Sequence, residues 1–120
     1  MPARYEIDHE RRIVLTWASG VLSDAEIADL YARLAADPDF DASYAQFADL
    51  SEVERIEATT VTIAEAARHS VFAPDARRAV YAPTDVAYGM ARMWAAYAEA
   101  QGEQIEVFRD RSGAEDWVHW

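Results

Sequence analysis

The side chains here whose types could do chemistry are three histidines, a set of serines and two close pairs of acids. His9, His69 and His119 stand apart, and none has a second histidine or a carboxylate at a metal-site spacing such as HExxH. Ser19, Ser23, Ser51, Ser70 and Ser112 would need a base and a group to orient it before any could act as a nucleophile. No GxSxG elbow is present, and the serines read more simply as caps and loop residues. Glu52 with Glu54, or Glu99 with Glu103, could exchange protons with a substrate if burial raised one pKa. With 22 acids in 120 residues, a solvated face is the cheaper account of both pairs. The sequence has no cysteine, which excludes disulfides and thiolate metal sites. The four glycines form no phosphate-binding loop. No catalytic group, metal or cofactor is expected, although His, Ser and Asp side chains brought within hydrogen-bond reach in a pocket would revive an enzyme.

The stretch 84–102, TDVAYGMARMWAAYAEAQG, organises what remains. Val86, Met90, Met93, Trp94 and Tyr97 recur on one helical face, alanines crowd the flanks, and Gly102 offers a stop. Two readings of that face stand side by side. In one, the methionines and aromatics fill the core above a sheet. In the other, Phe72, Tyr88, Met90, Met93, Trp94 and Tyr97 line a cleft for an apolar, lipid-like molecule or for another protein, since methionine adapts to irregular partners. Gly89 lies inside the helix, where it costs about 1 kcal/mol relative to alanine, and would permit close packing or leave room for a ligand or subunit.

Composition bounds the possibilities. A chain of 120 residues, 52% hydrophobic, suits one domain spanning residues 1–120. Its formal net charge of -11 would repel nucleic acid or an anionic membrane, and the basic pairs Arg11-Arg12 and Arg77-Arg78 are too small to oppose it. The charged stretch MPARYEIDHERR does not read as a signal peptide, and no run approaches the roughly 20 apolar residues of a membrane span. A soluble cytoplasmic protein is expected.

Along the chain, residues 4–8 alternate with Tyr5 and Ile7 on one side. After His9-Glu10 a second alternating run puts Ile13, Leu15 and Trp17 opposite Val14 and Thr16, giving an opening hairpin that Ser19-Gly20 breaks. Ser23 caps a first helix, with Glu26 completing a capping box and Leu22 and Ile27 at staple positions. That helix buries Ile27, Leu30, Tyr31 and Leu34, and Asp37-Pro38 ends it. Residues 44–50 form a strand apolar on both sides, as a strand covered on both faces requires. The charged run SEVERIEAT reads as a loop or a single turn. Thr62 with Glu65 caps a second helix running toward Val71, residues 78–82 form a strand that leads into the helix 84–102, and 104–109 alternates once more. Ser112 with Glu115 opens a terminal helix carrying Trp117. The order is β-β-α-β-α-β-α-β-α, an α/β fold with a mixed sheet between helices. Trp117 and Trp120 would cover a sheet edge or help a homodimer form.

These pieces resemble a family. The hairpin YEIDHERRIVLTWAS, the strand and loop YAQFADLSEVERI, the strand RRAVYAP, the helix YGMARMWAAYAEAQG and the ending IEVFRDRSGAEDWV are similar to the bacterial SpoIIAA-like proteins, over nearly the whole chain. These small domains are related to the STAS fold of anti-sigma factor antagonists and similar in fold to the lipid-binding SEC14 domain. The resemblance implies a regulatory module that works through a protein partner or a homodimer, with an apolar ligand as the alternative. STAS antagonists are phosphorylated on a Ser or Thr in the loop after the central strand, in a pattern like Asp-Ser-Ser-Gly. By position, Thr59 takes the place of the phosphorylated residue and Glu57 that of the Asp, while Ala58 and Thr60 stand where the pattern has Ser and Gly. A phosphate at Thr59 would add about -1.5 to -2 charge near the start of the second helix.

Overall fold

A computed structural model describes residues 3–120. The elements follow the expected order: β1 (Ala3–Asp8), β2 (Ile13–Ser23), α1 (Asp24–Ala36), β3 (Ala45–Glu57), α2 (Thr60–Arg68), β4 (Arg77–Tyr81), α3 (Asp85–Ala100), β5 (Gln104–Phe108) and α4 (Arg111–Trp117). The five strands lie in one mixed sheet in the order β1-β2-β3-β4-β5. Among the described residues only the β1–β2 hairpin is antiparallel.

The layering follows from that order. Crossovers of one hand that never reverse direction across a sheet stack their helices over the same face. Thus Val14, Ala48, Leu50, Val80 and Ile105 meet α1, α2 and α3. The opposite face, with Ile13, Phe47 and Ala79, is covered by Ala114 and Val118 in and after α4. Trp120 lies against Phe47, ring centroids 5.3 Å apart, so the terminal tryptophans cover a sheet face rather than an edge.

Local chemistry explains most element ends. The Ser23 hydroxyl accepts from the Glu26 N–H and donates to the Glu26 carboxylate, so the first helix begins where its capping pair predicts. Several element ends differ from expectation. The strand expected over residues 44–50 runs on to Glu57, through residues that read as a loop or a single turn. Gly20 does not break β2. At φ 66° it takes a left-handed conformation that glycine adopts without penalty, and it sits among register shifts that let β2 run on to Ser23. The second helix is capped by Thr59, whose hydroxyl accepts from the Thr62 N–H at 3.2 Å, so Thr62 lies inside it. That helix stops at Arg68 rather than reaching Val71. The last helix is capped by Asp110, which accepts from the Gly113 N–H, and not by Ser112.

The buried face of α3 also differs. Ala87, Met90, Ala91, Ala95 and Ala98 face the sheet, whereas Val86 is 48% and Met93 37% exposed. Trp94 and Tyr97 pack only partly against the core. Small side chains let the helix axis approach the sheet closely, which leaves the large residues at its shoulders. Gly89 has no part in that approach. It is exposed, and a Cβ there would meet nothing within 4 Å. Gly89→Ala is therefore expected to stabilise the protein by about 0.5–1 kcal/mol, read as a higher urea midpoint at unchanged slope.

One polar tie fastens β1 to the end of α1. The Tyr5 hydroxyl donates to the Asp37 carboxylate at 2.6 Å. That bond, with the Asp39 N–H, holds the Asp37 carboxyl below the usual carboxylate range. The same bond, with desolvation and the Asp37 charge, pushes the Tyr5 phenol up. The depressed carboxyl stabilises the fold fully above its unfolded pKa of about 3.9, and that contribution is lost as pH falls through the lower folded value. The raised phenol stabilises it fully below about pH 10, and that contribution is lost as pH rises through the higher folded value. Urea midpoints of Tyr5→Phe are expected to vary less with pH than wild type at both extremes, and parallel curves would show that the tie contributes nothing.

Candidate functional site

The candidate residues converge only in part: Phe72 and Trp94 both lie against the Arg78 guanidinium, at 4.7 and 5.3 Å. Met90 and Trp94 border one small apolar pocket of about 40 Å³ between the helices and the sheet. Phe72 belongs to a different cluster, edge-on to Phe40 at 5.3 Å. Tyr88 lies under the Arg109 guanidinium at 4.8 Å, Met93 faces solvent, and Tyr97 packs at the margin of the main core. These six side chains do not line a common cleft.

Thr59 and Glu57 are both exposed. Glu57 pairs with Arg55 at 2.9 Å. The Thr59 N–H donates to one oxygen of Asp24 at 2.7 Å, and its hydroxyl reaches the other at 3.3 Å. The start of α2 is thus tied to the start of α1, because the β2–β3 register ends with Ser23 opposite Glu57. A phosphate on Thr59 would face the Asp24 carboxylate, with the hydroxyl proton that now bridges them gone.

The largest polar constellation joins residues that the sequence gives no reason to group. Arg78 on β4 is 2% exposed and Gln46 on β3 is fully buried. The Arg78 Nε donates to the Gln46 side-chain oxygen at 2.9 Å, and its Nη1 donates to Glu103 at 2.9 Å and to Ser70 at 3.2 Å. The Gln46 amide donates to Thr16 and to the Tyr31 hydroxyl, both at 3.1 Å. Burial raises the Tyr31 phenol pKa, while the Arg78 charge and the donors at its oxygen oppose that rise. Glu103, expected on a solvated face, is instead the counter-ion of a buried guanidinium, because a charge this far from water needs a partner. A strand between two crossovers is covered on both faces, and that rule applied to residues 77–81 would have placed Arg78 inside. Among the described residues no three His, Cys, Asp or Glu side chains gather at metal-binding distance, and no helix is long and apolar enough to cross a membrane.

The backbone offers a second feature. Open parallel sheets usually hold ligands in the crevice where strand order reverses, and this order never does. Instead, β2 and β3 stay paired to Ser23 and Glu57, while the pairing of β3 with β4 stops at Asp49 and Tyr81. A two-stranded ribbon therefore projects past the rest of the sheet. Beyond Asp49 the outer edge of β3 has no strand partner among the described residues, and the Ser51 N–H is taken by the Asp49 carboxylate at 2.9 Å. A wide, open groove of about 630 Å³ runs between this ribbon and the start of α3, bordered by Glu52, Glu54, Thr84 and Val86.

No protein-family model matches the sequence, and no curated protein does. Among solved structures, an uncharacterized protein of the DUF3478 family from Shewanella loihica PV-4, described as having a SpoIIAA-like fold, superimposes with a TM-score of 0.63. The match covers 97% of this chain and 91% of that one at 15% sequence identity. At that identity the likeness speaks for architecture, and it agrees with the order of strands and helices reached from the sequence. This chain has a SpoIIAA-like fold.

Proposed function

We propose that this chain is a non-enzymatic binding module acting through protein contacts, and that its contact element is the outer edge of β3 over residues 50–57. The open edge carries the reading. Unpaired strand edges present a row of backbone donors and acceptors that proteins ordinarily cover, shorten or charge. Here the edge is long, and Glu52, Glu54 and Glu57 charge it with only Arg55 in opposition. Those acids disfavour pairing with a second copy of a chain already at -11 and favour an extended segment rich in lysine or arginine, added as a further strand. The regulatory, anti-sigma-antagonist type of role that the family resemblance implies is one form of this reading, with Thr59 just beyond the edge.

The test is a photo-crosslinking amino acid placed at Glu54, and separately at the exposed Asp75, in native cells. A discrete protein adduct at position 54 that is missing at position 75 is expected. No adduct at 54, or the same products from both positions, would remove the edge as the contact site.

A further inference from the structure

A pocket of about 260 Å³ opens between α1 and α2, separate from the groove beside the β2–β3 ribbon. Its walls are apolar, with Ile27 and Ala28 from α1 facing Val61 and Ala66 from α2, and at its base lie Tyr31, Ser70 and Arg78. Two donors, one at that base and one in the neighbouring pocket, lack an acceptor. The half-buried Tyr31 hydroxyl accepts from Gln46 at 3.1 Å, and its own proton has no acceptor among the described residues. The Trp94 indole N–H, on a ring edge-on to Tyr31 at 5.8 Å, is buried without an acceptor as well. Trp94 borders the small apolar pocket between helices and sheet, which shares Ile27, Tyr31 and Ala66 with this one. A donor that no protein group serves is left for a ligand that brings an acceptor.

Charge selects the kind of acceptor. Arg78 is already neutralised by Glu103 at 2.9 Å, and Glu65 stands at the mouth of the pocket. At the rim Glu65 has its own partners, Arg68 at 2.9 Å and the pocket-lining His69 at 3.2 Å, so an entering anion would find each charge around the pocket already matched. We infer that the α1–α2 pocket is a binding site for a small neutral molecule with an apolar body and one hydrogen-bond acceptor oxygen, such as a ring ketone or ester, whose oxygen takes the Tyr31 proton. The volume, on the order of eight or nine waters at ~30 Å³ each, suits a single ring or a short chain.

The test uses acetophenone, toluene and benzoate as probes, followed in ¹H–¹⁵N spectra through the Trp94 indole and the amides of residues 61–71. Acetophenone is expected to give saturable shifts at these groups and to bind more tightly than either other probe. Tyr31→Phe is expected to weaken acetophenone at least fivefold and leave toluene unchanged. Ala28→Trp, at an exposed wall position, is expected to abolish binding of both, and it decides the matter if Tyr31→Phe does not fold. Absence of saturable shifts from all three probes, toluene matching acetophenone in the wild type, or benzoate binding more tightly than acetophenone would each overturn the inference.

Discussion

Glu103→Ala is expected to destabilise this protein by about 3–5 kcal/mol, the range for breaking a buried ion pair by removing one partner. The side chains of Arg78 and Glu103 are 2% and 5% exposed, so neither charge has water to fall back on. In the variant the guanidinium would keep Gln46 and Ser70 and lose its counter-charge. The same bonds join three segments, since Ser70 follows α2, Arg78 lies on β4 and Glu103 precedes β5. Replacing both partners by methionine is expected to recover most of the loss, because a dry apolar pair avoids the desolvation that the ions suffer. Urea unfolding of the single and double variants measures both values. A single variant within 1 kcal/mol of wild type would mean that water reaches the pair.

The second large effect lies along α3. Ala91 and Ala98 are fully buried, so a larger side chain at either position must push the helix off the sheet or adopt a strained rotamer. Ala91→Leu is expected to cost about 1–3 kcal/mol through overpacking. Met93→Ala, on the exposed shoulder of the same helix, is expected to change stability by no more than about 0.5 kcal/mol. Comparable losses from the two substitutions would contradict the packing direction described for this helix. The contrast isolates geometry, because both residues are apolar and only two positions apart.

That same helix shows what a sequence reveals and what it conceals. The periodicity of Met90, Trp94 and Tyr97 announced a helix correctly, but hydropathy weights large side chains, and the face that touches the sheet is mostly alanine. The start of α1 was legible because its capping chemistry is local and Ser23 and Glu26 meet at the expected spacing. The start of α2 was displaced by three residues because Thr59 and Thr62 can both cap, and only the contact with Asp24, 35 positions earlier in the chain, distinguishes them. The far half of β3 was hidden for another reason. Val53 and Ile56 both turn to the core, and a register shift between them gives a spacing of three where a strand should show two. The buried network was concealed because Arg78 and Gln46 are polar at strand positions where hydropathy expects solvent. The resemblance identified the architecture, whereas the sites depend on distances that only the folded chain provides.

The simple strand order has a consequence for synthesis. Each strand pairs with the one that precedes it in the chain, so as the polypeptide leaves the ribosome every new strand finds its partner already made, and none has to be inserted between two others. The helix-covered face can close in step with translation. The opposite face cannot, because α4 and the residues after it are made later than all five strands, and until they emerge Ile13, Phe47 and Ala79 face water or a chaperone uncovered.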